Sequence, residues 1–153
     1  MEYENEYIEL HDRPYLFPEA ANIIYEEWHQ EFATYYLLYT VEQIEDYIQT
    51  IPCFVSLINN EIQDITLIEE KDWIMDVDNS PWLSNVIVKT EKDIYLQFLN
   101  YVLSWYKYIF LDRTLYCWSF DQSITDFYTN IGFNINMKYT KYKEIDNVVI
   151  LDY

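Results

Sequence analysis

Apolar residues recur along the chain with two periods, and the switches between them set out the elements. Residues 6–11 alternate in character, the period of a half-buried strand. Pro14 and Pro18 then open a helical stretch over 19–28, with Ala20, Ile23, Ile24 and Trp28 on one face. The spacing predicts a second helix over 41–49. Thr40 is its N-cap, Gln43 closes a capping box, and Val41, Ile44, Tyr47 and Ile48 share a face. Two apolar runs, 53–58 and 61–68, flank Asn59-Asn60; asparagine tolerates positive φ, so the pair predicts a β-hairpin. A polar loop covers 69–81, followed by a strand over 82–88. An amphipathic helix over 93–109 carries Ile94, Phe98, Tyr101, Val102 and Trp105 on one side. A short strand follows over 115–118, then a short helix over 124–130 behind the capping segment Asp121-Gln-Ser. Residues 131–139 and 147–153 read as two closing strands, paired with each other. Gly132, the one glycine of the chain, ends the last helix, where a positive φ suits glycine alone. The order β-α-α-β-β-β-α-β-α-β-β predicts an α/β fold, a mixed sheet with helices on both faces, in one domain over residues 1–153.

Composition narrows the class. At 153 residues, 51% hydrophobic and 20% aromatic, the chain can bury a sizeable core and does not read as disordered. No apolar run reaches the roughly 20 residues of a membrane span. The longest, 94–111, is broken by Gln97, Asn100, Ser104 and Lys107. The acidic start, Met1-Glu-Tyr-Glu-Asn-Glu6, is the opposite of a signal peptide or presequence, so the expectation is a cytoplasmic protein. The net charge is −18, and only Arg13, Arg113 and seven lysines are cationic. Without a basic stripe, nucleic acid and anionic membranes are disfavoured as partners. Such a field draws amines, polyamines and lysine-rich tails; it also keeps an aromatic-rich surface soluble. Cys53 and Cys117 sit in apolar, strand-like runs and read as buried free thiols. With His11 and His29 they offer no metal-ligand spacing.

Several segments, in order, resemble one family. Residues 19–28 look like its first helix, 52–58 and 65–68 its second and third strands, and Ser80-Pro-Trp-Leu-Ser-Asn-Val-Ile-Val88 its fourth. Leu115-Tyr-Cys-Trp118 is similar to its fifth strand, and 121–133 to its last helix with a Tyr-x-x-x-Gly-Phe ending at Tyr128, Gly132 and Phe133. The family is the GNAT acetyltransferases. The resemblance implies the GNAT (acyl-CoA N-acyltransferase) fold and transfer of an acetyl group from acetyl-CoA to a cationic amine, on a small molecule or a lysine-containing protein. It implies fourth and fifth strands that splay apart, with the pantetheine arm on the backbone of Val86, Ile87 and Val88.

The family holds the pyrophosphate on a loop of the form Arg/Gln-x-x-Gly-x-Gly/Ala. The matching stretch here, Lys89-Thr-Glu-Lys-Asp-Ile-Tyr95, is shorter and has neither glycine nor arginine. Glu91 and Asp93 fall where phosphate oxygens would sit. One reading is a rebuilt phosphate site using Lys89 and Lys92. The other is an ordinary helix start, with Thr90 as N-cap and Glu91 and Asp93 as favourable first-turn residues. The resemblance also makes Tyr128 the proton donor to the departing thiolate and sets Asp121 at the cofactor arm, where it serves equally as a helix cap. Glu69, Glu70 and Asp72 follow the third strand, near where the family's general bases lie, and are otherwise solvated loop charges. A second function class is an inactive member that keeps the fold as a protein-binding module. Tyr35, Tyr36 and Tyr39 are its candidate contact aromatics, or part of a helix–helix connection. A homodimer through the closing strands is a further expectation.

Overall fold

A computed structural model describes residues 5–31, 39–72 and 74–153, with the backbone alone at 28–31, 85 and 86. Strand β1 (Asn5–Glu9) leads through two 3-10 turns into helix α1 (Phe17–Glu31), and α2 (Val41–Ile48) follows. Then come β2 (Cys53–Ile58), β3 (Glu61–Glu69), β4 (Trp82–Ile87), α3 (Lys92–Phe110), β5 (Tyr116–Ser119), α4 (Gln122–Asn130), β6 (Asn134–Tyr142) and β7 (Ile145–Asp152). The order is the one the hydrophobic pattern predicts.

Local chemistry accounts for the boundaries. The capping box forms at α2: Gln43 N–H donates to Thr40 Oγ1 at 3.2 Å, and Thr40 N–H to Gln43 Oε1 at 2.8 Å. Asn59 and Asn60 have φ of 52° and 66°, the two positive values that a tight two-residue hairpin needs. Gly132 has φ of 116°. Helix α3 differs from expectation: its N-cap is Glu91, which makes no side-chain capping bond, and Thr90 turns its hydroxyl to another partner.

The seven strands run β1-β2-β3-β4-β5-β7-β6, antiparallel throughout except for a parallel contact of β4 with β5. Alternation along the strands sends Val55, Leu57, Ile65, Leu67, Trp82 and Ile150 to the face covered by Ala20 and Ile24 of α1 and Ile44 and Ile48 of α2. It sends Phe54, Ile68, Leu83, Cys117 and Leu151 to the opposite face, against Phe98, Leu99, Val102 and Tyr106 of α3 and Tyr128 of α4. Each Val, Leu, Ile or Phe among them, removed from water, contributes about 1.5–3 kcal/mol. Cys53 and Cys117 are buried and free, as expected. No described helix is long and apolar enough to cross a membrane. Tyr35 and Tyr36 lie outside the described residues.

Candidate active site

Strands β4 and β5 part almost at once. Their ladder is the single pair Trp82–Tyr116, with Tyr116 N–H donating to Pro81 O at 2.9 Å. Beyond it β4 follows β3, while β5 pairs fully with β7 from Tyr116–Asp152 to Ser119–Val149. The β4 register against β3 shifts between the pairs Leu67–Ser84 and Ile65–Ile87, so β4 carries one extra residue there. Such a bulge bends and twists its strand. The β5-facing edge of β4 past Trp82 therefore has no strand partner among the described residues. The backbone of Val86 and Ile87 lies on this stretch; Val88 follows the strand and is exposed.

The two faces of this gap differ. On the α3–α4 side, the hydroxyls of Tyr95 and Tyr128 lie 3.1 Å apart, both rings buried. Phe133 meets the Tyr128 ring edge-on at 5.2 Å. Burial pushes both hydroxyls up, and the Cys117 thiol on β5 with them, so all three stay protonated at neutral pH.

On the α1–α2 side, Glu69 closes β3 with its carboxylate fully buried. Tyr47 Oη of α2 donates to Glu69 Oε1 at 2.6 Å, and the Ser84 hydroxyl of β4 donates to Oε2. Tyr47 also lines an open cleft of about 480 Å³, together with Tyr39, Gln43, Lys71 and Asp72. Asp72 is half-buried. Its Oδ1 accepts from the N–H groups of Ile74 and Met75, each at 2.8 Å, and its Oδ2 from Trp118 Nε1 at 3.2 Å. Burial raises its carboxyl, against the pull of these bonds. Glu70 is turned away: it pairs with Arg113 at 2.8 Å and accepts from Ser80, and these bonds hold it below the usual carboxylate range.

Solved structures of similar overall fold include acetyltransferases. One of the GNAT family from Streptococcus pneumoniae is similar with a TM-score of 0.72 at 16% identity, over 98% of each chain. The yncA protein from Salmonella typhimurium, solved with its cofactor acetyl-CoA, is similar with a TM-score of 0.73 at 10% identity, over 97% of this chain and 92% of that one. The chain has the GNAT fold. An N-acetyltransferase from Staphylococcus aureus Mu50 is similar with a TM-score of 0.66 at 15% identity, over 100% and 97%. No protein-family model and no curated protein matches the sequence.

Within the GNAT fold, the open edge of β4 fits an extended pantetheine arm, because an added strand needs only main-chain partners. The turn before α3 does not fit a pyrophosphate. Its Lys89 and Thr90 N–H groups donate to the carboxylate of Asp64, at 2.8 and 3.1 Å. Asp64 is fully buried on β3, at a register shift that leaves Gln63 and Asp64 opposite Ser56 alone. Lys92 is exposed, its ammonium 5.6 Å from the Phe127 ring. Asp121 caps α4, accepting from the N–H groups of Ser123 and Ile124 at 2.8 and 3.4 Å.

Of the residues expected at the site, Glu69 and Tyr128 lie on opposite faces of the sheet, and the backbone of Val86 and Ile87 lies on the open edge. Glu70 faces the surface with Arg113. Sequence reasoning missed Asp64, Tyr47, Ser84 and Tyr95. Asp64 had a signal: it is an ionisable residue between Ile62 and Ile65, across from Ser56 in the apolar run of β2, and buried polar groups require partners. Tyr47 sat on a predicted apolar face, where periodicity says nothing about its hydroxyl.

Proposed function

We propose that this chain is an N-acyltransferase that moves an acyl group, acetyl as in the solved proteins sharing its fold, from a pantetheine thioester to a cationic amine. The observation that carries this reading is the β4–β5 ladder that ends after one residue pair. It leaves a strand edge for the arm, on the backbone of Val86 and Ile87 and the Val88 that follows. The thioester, when bound, supplies the activated carbonyl. Glu69 serves as general base through Tyr47: the amine gives a proton to Tyr47 Oη, which passes its own to Glu69 Oε1 across 2.6 Å. Asp72 and the net charge of −18 draw a cationic acceptor, a small amine or a lysine side chain, into the cleft. Tyr128, kept protonated by burial, donates a hydrogen bond toward the departing sulfur.

Thiol release from acetyl-CoA and from acetyl-pantetheine, over a panel of polyamines and lysine peptides, tests the reading. Turnover is expected, reduced about 10²–10⁴-fold in Glu69→Gln. The hold of Asp64 on the Lys89 and Thr90 amides supports a second reading, a protein-binding module that retains the fold without transfer. No thiol release with either donor, alongside saturable binding of a lysine-rich protein, would favour that module and sink the enzyme.

A further inference from the structure

Between β4 and α3 the chain spends only residues 88–91. Inward-facing N–H groups in such a turn make a concave anion site. Here an anion of the chain itself has taken them. Asp64 Oδ1 accepts from Lys89 N–H at 2.8 Å and Thr90 N–H at 3.1 Å, and Oδ2 accepts from the Thr90 hydroxyl at 2.7 Å. The Ser56 hydroxyl donates to the same Oδ2 at 2.8 Å, and Asp64 N–H donates back to Ser56 Oγ at 3.0 Å. Four donors around one buried group match the acceptor capacity of an ionised carboxylate. Outside the turn, Glu91 and Asp93 are exposed at the helix start. An arriving polyphosphate would meet three carboxylates, with Lys89 and Lys92 as the nearby cations in sequence.

Resting on the acyltransferase reading, we propose that the donor is recognised through its acyl-pantetheine arm alone. Asp64 fills the anion cradle, so the phosphorylated nucleotide of coenzyme A adds no affinity. The substrate class is then pantetheine thioesters in general, whatever lies beyond the arm. Removing a carboxylate that repels the nucleotide strengthens coenzyme A thioesters without touching acyl-pantetheine. Salt acts the same way, because it screens repulsion.

Calorimetric titration of the full chain with acetyl-CoA and acetyl-pantetheine tests this. Dissociation constants within about threefold of each other are expected, with the acetyl-CoA value tightening as salt rises. Asp64→Asn keeps the shape and drops the charge; it should tighten acetyl-CoA about tenfold and leave acetyl-pantetheine unchanged. The exposed double variant Glu91→Gln/Asp93→Asn reads the same repulsion if Asp64→Asn fails to fold. Acetyl-CoA binding at least about tenfold tighter than acetyl-pantetheine, and weakening with salt, would overturn the proposal. Unchanged acetyl-CoA affinity in both variants would overturn the role of Asp64. Binding of neither donor would instead overturn the acyltransferase reading beneath it.

Discussion

Glu69 and Glu70 are adjacent in sequence and meet opposite surroundings, because successive residues at a strand end point to opposite faces. Glu69 has no exposed surface and two hydroxyl donors; Glu70 has Arg113 and solvent. Tyr47→Phe removes one donor from a buried carboxylate, which costs about 1–3 kcal/mol in urea unfolding. A shift below about 0.5 kcal/mol would mean water replaces the hydroxyl and Tyr47 is no relay. His11 makes a prediction of pH dependence. Its ring lies between Glu9 Oε1 at 2.6 Å and the Gln49 carbonyl at 2.7 Å. Burial pulls the imidazole down, but the two acceptors and the charges of Glu9 and Asp12 leave it above its ordinary 6.5. A raised folded value favours the protonated state. Its contribution is therefore full below pH 6.5 and is lost as pH rises through the folded value. The difference in Tm between wild type and His11→Gln should shrink from pH 5.5 to pH 8.5 by this linkage, about three pH units apart. A difference constant across that range would show that His11 does not titrate in the fold.

Caps and turns carry the next predictions. Thr40→Ala opens the capping box of α2 and should cost about 1 kcal/mol, within the range of such caps. Gly132→Ala puts a side chain at φ of 116°, with its Cβ 3.4 Å from Tyr153 Cε2. The contact is tolerable; the backbone angle is not, so a loss of about 1–3 kcal/mol is expected in the same unfolding assay. These features were legible in the sequence because they are local. Thr40 with Gln43, Asn59-Asn60 and Gly132 each state their geometry within four residues. The element order was legible because each strand and helix buries one face, and burial leaves its period in the sequence. At the start of α3, Thr90 as N-cap falls one residue before the observed cap, Glu91. Thr90 is a good N-cap by type, yet its hydroxyl is taken by Asp64, 26 positions away. The hydrogen bond from Tyr47 to Glu69 spans 22 positions and the Tyr95–Tyr128 contact 33. Periodicity holds no information at that range. The parting of β4 and β5 was expected from resemblance alone, since β5 is too short to carry a pattern of its own.

Over the molecule as a whole, 27 acidic residues face 9 basic ones. Two opposed effects of salt can be weighed. Surface ion pairs weaken as salt rises, but each is worth only about 0–1 kcal/mol. Among the described residues these are Arg13–Glu6, Arg113–Glu70 and the Glu9 pairing of His11. Three of the nine cationic side chains, Lys138, Lys141 and Lys143, gather on β6 and the turn after it, away in sequence from most of the acidic positions. The surplus of 18 negative charges repels itself in the folded state. Raising salt from about 0.01 to 0.1 M shortens the Debye length from about 30 to 10 Å, so repulsion between distant carboxylates fades while contact pairs keep most of their attraction. Relief of about 1–2 kcal/mol would lift Tm by roughly 2–8 °C at this chain length. Thermal unfolding in sodium chloride, read by circular dichroism, should therefore move upward over this range. A Tm that falls would mean the few ion pairs outweigh the surplus, and that the acidic surface is more evenly neutralised than its composition says.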